Sequence, residues 1–369
     1  MNNKTSLTVY TISHMVVDLS CFYVLMGTYS RQIEDPMTIS LGFLLYNILA
    51  FGLQMVIGYF VDIRPIEHSK IAIWGCLLVC AGVVFGFLPW LALLFCAVGN
   101  ASFHIGGGIN SLVYSEEKMA RCGIFVSSGA IGVALGTIAG RNEVPFWIIV
   151  ILLLGCSYGI GFYCSLDKDK AIPSFVKQNV SKPIVTNGKI IIYLCFISII
   201  VRSYVGFQTP ILWKTNTFLV LLPSICAFIG KFWGGILADY FGARNVGVLS
   251  LLVSIPLLST YNNNIALCSI GLVMFNITMS ITLWGIASQL KNQPGFAFGL
   301  TTLALLIGNI PMFLFTLPDN MIKIVLPILI LVSTICIYIS IENPKRGGYI
   351  NESINELINF RTSLMCGEH

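Results

Sequence analysis

Asp18 is a carboxylate in the interior of an apolar stretch, TISHMVVDLSCF, and His14 precedes it by four residues. In a helix this spacing puts both side chains on one face, where they can share a proton. Placing an ionisable group near the centre of a bilayer costs about 2.5–3.5 kcal/mol, so such groups usually serve a function. We predict that Asp18 carries a coupling proton with His14 as its partner. The structural alternative is a static pair of Asp18 with His14 or with a buried cation.

A second histidine lies in the stretch GNASFHIGGG, where His104 follows Asn100 by four residues and precedes three glycines. Histidine changes its charge near neutral pH and can donate a hydrogen bond to an oxyanion. We therefore assign His104 to proton coupling and to substrate binding, with Asn100 as a further polar contact. The alternative for His104 is a packing role with satisfied hydrogen bonds.

Two cations, Arg202 and Lys231, also lie within apolar stretches rather than in the polar connections. The planar guanidinium of Arg202 can hold a carboxylate or phosphonate in bidentate fashion. Two permanent cations against one carboxylate leave net positive charge, which favours an anionic substrate. A salt bridge between Arg202 and Asp18 is the competing interpretation, and Lys231 could instead extend along the helix or belong to a gate. The remaining candidate substrate contacts are Tyr204, Gln208 and Asn276.

The composition identifies an integral membrane protein. Of 369 residues, 56% are hydrophobic and 10% are charged, and the mean hydropathy is +0.85, whereas soluble domains carry about 25% charged residues. The net charge of +5 arises in short connections rather than in one basic patch, so no nucleic-acid partner is predicted. Twelve cysteines lack CxxC spacing and nearby histidines, which indicates buried packing rather than a metal site or a cofactor.

Runs of about 20 apolar residues predict twelve transmembrane helices and therefore an all-α membrane protein. The predicted spans are about 7–29, 37–61, 70–88, 90–114, 120–140, 144–165, 188–210, 215–238, 245–261, 264–289, 295–317 and 321–341. A polar segment with two prolines divides them six and six. The predicted parts are an N-terminal six-helix bundle at 1–165, a cytoplasmic linker at 166–187, a C-terminal six-helix bundle at 188–341 and a cytoplasmic tail at 342–369.

Lysines and arginines concentrate in the connections on one side, including the linker, and are sparse in the connections on the other side. By the positive-inside rule, both termini and the linker are cytoplasmic. We therefore expect a multi-pass protein of the inner (plasma) membrane. Its expected partners are the lipid bilayer, a small-molecule substrate and protons, and one chain is expected to suffice as a monomer.

A short motif occurs once in each half, at the same end of its second helix. The first copy is GYFVDIRP and the second is GGILADYFGARN. Glycine permits close helix contact, aspartate can accept hydrogen bonds from a neighbouring helix N-terminus, and arginine can pair with the aspartate. Two copies at equivalent positions favour a gating device over ordinary charged helix ends. The motif residues are Gly58, Asp62, Arg64, Gly235, Asp239, Gly242 and Arg244.

The second copy, GILADYFGAR, resembles the signature loop of the major facilitator superfamily of transporters. The stretches HMVVD, GNASFHIGGG, GIFVSSGAIGVALGT and VRSYVG further resemble the fosmidomycin-resistance group of efflux transporters. The resemblance implies two six-helix repeats, alternating access, and a central cavity lined by helices 1, 4, 7 and 10. It also implies export, because the glycines of the fifth helix resemble a signature associated with exporters.

The leading hypothesis is a proton-coupled exporter, an antiporter, of a small anionic or amphiphilic compound, as in drug resistance. The alternative is a proton-coupled uptake symporter for an organic anion. A transporter-like sensor is less favoured because the polar tail is too short to be an output domain. An enzyme is not predicted because no catalytic triad, metal cluster or phosphate-binding loop is visible in the sequence.

Overall fold

The computed structural model describes residues 3–64, 66–115, 118–164, 184–211, 213, 216–315 and 317–342. Throughout this part of the chain the regular structure is helical and contains no β-strand. The predicted all-α membrane fold is therefore confirmed. Most of the predicted linker and nearly all of the predicted tail lie outside the described residues, so the four-part division of the chain stays a prediction.

Twelve long helices follow one another along the described chain. Ten of them are long and apolar enough to cross a membrane, and α3 and α9 are shorter apolar helices of 17 residues each. The chain is thus a multi-pass membrane protein. The bounds are α1 Thr5–Gln32, α2 Pro36–Ile63, α3 His68–Val84, α4 Pro89–Val113, α5 Met119–Arg141, α6 Phe146–Cys164, α7 Gly188–Gln208, α8 Thr217–Phe241, α9 Ala243–Ser259, α10 Ile265–Gln289, α11 Pro294–Leu314 and α12 Asp319–Ser340.

Helices α1 and α2 each contain a π-helical turn, at Val24–Tyr29 and Ile48–Gly52. Such turns break the regular hydrogen-bond ladder and are frequent at functional positions. Within the α2 turn, the Phe51 carbonyl accepts a hydrogen bond from the Thr302 hydroxyl of α11 at 3.1 Å. The irregular turn therefore contributes to the contact between the two halves of the chain.

The start of α2 is set by Asp35 and Pro36. The Asp35 carboxylate accepts a hydrogen bond from the Thr38 amide at 2.8 Å, and it also accepts one from the Thr38 hydroxyl. These hydrogen bonds hold the pKa of Asp35 below its ordinary value, since they stabilise the charged carboxylate. Pro36 occupies the first turn, where its missing N–H leaves no bond unmade. Local sequence alone thus accounts for this helix boundary.

Glycines let α5 lie directly against α1. A β-carbon at Gly132 would overlap the carbonyl oxygen of Met15 on α1. One turn further, a β-carbon at Gly136 would overlap the carbonyl oxygen of Leu19. Small residues at this spacing allow two backbones to approach closely in a membrane, where packing rather than the hydrophobic effect drives association. The α1–α5 contact fixes the height of Asp18 relative to α5.

Replacing Gly132 with valine should lower the melting temperature of the purified protein by several degrees, because an added side chain in a tight contact costs about 1–3 kcal/mol. The change is measured by thermal unfolding in detergent. Gly155→Val is the matched control, since no atom lies within 4 Å of a β-carbon at Gly155. Equal melting temperatures for the two variants would contradict the packing assigned to Gly132.

Candidate functional site

Three ionisable side chains meet inside the N-terminal half. His14 Nε2 lies 3.3 Å from Asp18 Oδ2, and His104 Nε2 lies 3.7 Å from Asp18 Oδ1. The Asn100 side-chain amide donates a hydrogen bond to Asp18 Oδ1 at 2.9 Å. All four side chains are largely shielded from solvent. The structure therefore brings together the residues predicted for proton coupling, from two helices far apart in the sequence; we call His14, Asp18 and His104 the carboxylate–histidine trio.

Backbone carbonyls determine which nitrogen of each imidazole faces Asp18. His14 Nδ1 lies 2.7 Å from the Phe125 carbonyl oxygen, and His104 Nδ1 lies 2.9 Å from the Asn100 carbonyl oxygen. A carbonyl oxygen only accepts, so each Nδ1 carries the hydrogen. In a neutral imidazole the Nε2 then presents a lone pair, and both lone pairs face the carboxylate. The two lone pairs and the negative carboxylate repel one another. A cation bound between them, such as a proton, removes this repulsion.

Helix α5 leaves room for the trio. A β-carbon at Gly129 would overlap Asp18 Oδ2 and would lie 2.6 Å from His14 Nε2. The Phe125 ring of the same helix stacks on the His14 ring with centroids 4.7 Å apart. One helix thus supplies the hydrogen-bond acceptor, the aromatic wall and the free space for the His14–Asp18 pair.

Arg202 on α7 is buried without an acidic partner. Its side chain is 7% exposed, and its Nη1 donates to Thr282 Oγ1 at 3.4 Å. The Thr282 hydroxyl donates to the Thr278 carbonyl of its own helix at 3.0 Å, so its oxygen is free to accept from Arg202. No carboxylate among the described residues lies within 4.0 Å of Arg202, so the alternative salt bridge to Asp18 is not formed. A buried guanidinium held by one neutral oxygen can accept an anion.

Lys231 connects the two groups electrostatically. The side chain, on α8, is partly buried and interacts through its charge with Arg202 and with Asp18. Lys231 also interacts electrostatically with His104. Within the described part of the chain Lys231 forms no ion pair, so it adds to the positive charge beside Arg202. Lys231 therefore lies within electrostatic range of Arg202 and also of Asp18 and His104.

The other predicted substrate contacts form no described hydrogen bond with this cluster. Gln208 is buried near the end of α7, and Tyr204 is only partly buried. The Asn276 amide donates to the Leu272 carbonyl of its own helix at 2.9 Å, and its β-carbon packs beside Gly230 of α8. The assignment of Tyr204, Gln208 and Asn276 to substrate binding therefore stays a prediction.

The two motif aspartates each bind a helix N-terminus in the other half. Asp62 on α2 accepts from the Gly295 and Phe296 amides of α11 at 2.9 and 2.7 Å. Asp239 on α8 accepts from the α5 amides of Met119 at 2.9 Å and Ala120 at 3.0 Å. These amides have no partner within their own helix, and the helix dipole favours a negative charge there. Both contacts join the two halves at the ends of α2 and α8, which we call the motif side.

The motif glycines allow these helices to approach one another closely. A β-carbon at Gly58 would overlap the Gly295 backbone of α11, and one at Gly235 would overlap the Met119 backbone of α5. Gly242 has a φ of 91° at the end of α8, a conformation that side-chain-bearing residues rarely adopt. Each glycine of the second copy is therefore required by the backbone it borders.

The motif arginines do not pair with the motif aspartates among the described residues, which corrects the expected arrangement. The Arg64 guanidinium lies over the Phe60 ring at 5.4 Å. Arg244 donates from Nε to the Ile341 carbonyl at 2.7 Å and lies over the Tyr338 ring at 5.7 Å. The backbone amides already satisfy the aspartates, so the arginines are free to hold other parts of the chain.

Several residues at the site were missed at the sequence level. Thr282 was not singled out, because one threonine in an apolar helix carries no distinctive pattern. The amides of α5 and α11 were missed as named partners because every helix start offers unpaired N–H groups. The glycine spacing of α5 was a usable signal, but it indicated packing and not the space that Gly129 provides for Asp18.

No protein-family model matches the sequence, and no curated protein matches it. Solved structures do match its fold. The fucose:proton symporter of E. coli superposes with a TM-score of 0.63 at 12% identity, over 90% of this chain and 97% of that one. A bacterial homologue of the iron transporter ferroportin, in an outward-facing state, superposes with a TM-score of 0.62 at 12% identity, over 91% of this chain and 98% of that one. The human organic anion transporter MFSD10 superposes with a TM-score of 0.63 at 13% identity, over 91% of this chain and 100% of that one.

At these identities the similarity shows the fold alone. The described part of the chain has the all-helical fold of these transporters, as predicted. The narrower resemblance to the fosmidomycin-resistance group stays a prediction.

The Asp62→Asn variant should expose the start of α11 to solvent. The amide that replaces the carboxylate has one acceptor oxygen and no charge, so the Gly295 and Phe296 amides lose part of their protection. Hydrogen–deuterium exchange of the purified protein should be faster in the peptide containing Gly295 and Phe296. Asp35→Asn is the control, since Asp35 caps its own helix. Unchanged exchange at the α11 start in Asp62→Asn would contradict the role assigned to the Asp62 hydrogen bonds.

Proposed function

We propose that this protein is a proton-coupled transporter of a small organic anion that works by alternating access. The observation that carries the proposal is the buried Arg202 guanidinium, which has no carboxylate of a described residue within 4.0 Å and interacts electrostatically with Lys231. An uncompensated buried cation is costly, and an anionic ligand relieves that cost. The fork geometry of arginine suits a carboxylate or phosphonate group.

Proton coupling is assigned to the trio. A proton bound between Asp18 and either imidazole removes the repulsion between their lone pairs and adds one positive charge near Lys231. That added charge strengthens the hold of Arg202 and Lys231 on an anion, so proton and anion bind together rather than in exclusion. The electrostatics therefore support co-transport, the uptake symporter that the sequence left as the alternative. Export, which rests on the glycines of α5, stays a prediction.

The motif side is the proposed gate, and its opening would release the bound substrate. With Asp62 and Asp239 both bound to helix starts of the other half, the motif side is closed. The distribution of positive residues makes this the cytoplasmic side. Transport then requires both aspartates to leave their amides, after which the substrate reaches the cytoplasm. The repeated halves are suited to such a rocking movement about a central site.

Two of the structural neighbours, a proton symporter and an organic anion transporter, support this proposal. A thermal-shift screen of phosphonates, organic acids and sugars against the purified protein would identify the substrate class. Stabilisation by sugars alone would contradict the anionic substrate.

The Asp18→Asn variant should lose transport driven by a pH gradient, because asparagine keeps the shape of the side chain but cannot carry a proton. The measurement uses proteoliposomes, an imposed pH gradient and the anion that the thermal-shift screen identifies. Asp35→Asn, outside the cluster, should transport normally. Undiminished gradient-driven transport in Asp18→Asn would reject the role of Asp18. Under an inward proton gradient, uptake supports co-transport and expulsion supports an antiporter.

The Arg202→Gln variant should bind the same anion at least about 30-fold more weakly, since removing one partner of a buried charge pair costs about 2–5 kcal/mol. Binding is measured by calorimetry on the purified protein at constant pH. Arg31→Gln is the matched control, because Arg31 pairs with Glu143 away from the cluster. Equal anion affinity in Arg202→Gln and the unmodified protein would remove Arg202 from the binding site.

A further inference from the structure

We propose that His14, Asp18 and His104 bind a divalent transition-metal ion of the zinc class, such as Zn²⁺ or Co²⁺. This goes beyond the transport function and does not depend on it. One ligand atom from each residue lies within 4.8 Å of the others. The sequence predicted no metal site, because the cysteines lack ligand spacing and the ligands here come from two separate helices.

The distances suit a metal of this size. Ligands about 2.0–2.2 Å from zinc lie about 3.3–3.6 Å apart in a tetrahedral arrangement. His14 Nε2 lies 3.3 Å from Asp18 Oδ2, and His104 Nε2 lies 3.7 Å from the other carboxylate oxygen, Asp18 Oδ1. The three ligand atoms lie within 4.8 Å of one another, so side-chain movement alone can bring them to one ion. A fourth position remains for water or for an anionic group.

The second interactions of the histidines are those of metal ligands. A ligating histidine usually donates its other N–H to a carbonyl or carboxylate, which fixes the ring and its tautomer. Both histidines do so here, to Phe125 and to Asn100. Asn100 also donates to Asp18 Oδ1 at 2.9 Å and orients that oxygen. Each of the three proposed ligand residues is thus oriented by a further hydrogen bond in the metal-free protein.

The ligand types select the metal class. Imidazole suits Zn²⁺, Co²⁺, Ni²⁺ and Cu²⁺, whereas Mg²⁺ and Ca²⁺ take oxygen ligands in greater number. Lys231 opposes a divalent cation because it acts electrostatically on Asp18 and His104. It is partly buried and forms no ion pair with a described residue. Removing that charge should strengthen metal binding.

The test uses the full chain, purified in detergent with an affinity tag that contains no histidine. Titration with Co²⁺ should show one site per chain with the visible absorption of a four- or five-coordinate ion, and Zn²⁺ should displace it while excess Mg²⁺ should not. His14→Gln, His104→Gln and Asp18→Asn should each weaken binding about 10-fold or more. Lys231→Met should tighten binding, and His68→Gln, a histidine outside the trio, should leave it unchanged.

X-ray absorption at the zinc edge of the unmodified protein gives a result that does not depend on any variant folding. The expected first shell contains two imidazole nitrogens and at least one oxygen at about 2.0–2.2 Å, and no sulfur at about 2.3 Å. Sulfur in the shell would assign the metal to the cysteines and overturn the proposal. Undiminished Co²⁺ binding in both His104→Gln and Asp18→Asn would overturn it as well. Neither result bears on anion binding at Arg202, so the transport proposal is tested separately.

Discussion

The interior of a bilayer offers no water to a charge, so every ionisable group there must be held by a protein neighbour or by a ligand. Asp18 meets this constraint within its own half, where an amide and two imidazoles surround the carboxylate. Arg202 meets it only in part, because Thr282 is the one described residue to which it donates. The trio in the N-terminal half therefore presents groups that attract a cation. Arg202 in the C-terminal half presents a group that attracts an anion.

Helix α5 links the gate to the carboxylate–histidine trio. Its first amide, at Met119, is held by Asp239 of the other half, and its Phe125 carbonyl orients His14. Gly129 gives the pair its space. From Met119 to Gly129 is about 15 Å along one uninterrupted helix. A displacement of the α5 start would therefore reach the atoms that orient His14, which would couple the proposed gate to the proposed cation site.

The contacts made by Asp62 and Asp239 share one chemistry. The arginines of the two motif copies make different contacts. In both, a carboxylate accepts two amide hydrogen bonds at a helix start, and a glycine lets the backbones meet. Arg64 instead lies over an aromatic ring, and Arg244 holds the end of α12. The favourable interaction common to both copies is that of an anion with a helix N-terminus. It can be broken and remade without moving a large apolar surface, as a reversible gate requires.

The sequence by itself determined the helical spans and identified the residues that needed explanation. In lipid only a helix or a closed barrel satisfies the backbone, so apolar runs of sufficient length predict helices. Charge inside such a run is costly enough to be informative, which singled out Asp18 and Arg202. The spacing within one helix also placed His14 beside Asp18.

Only the tertiary structure decided which helices bring their residues together. His104 reaches Asp18 because α4 packs beside α1, and Arg202 fails to reach it because α7 packs against its own half instead. Asn276, equally polar in sequence, donates to a carbonyl of its own helix. Periodicity reports the face of one helix, whereas contacts between helices depend on glycine-to-backbone packing at particular heights. That packing is a property of the assembled bundle, so no single segment of sequence contains it.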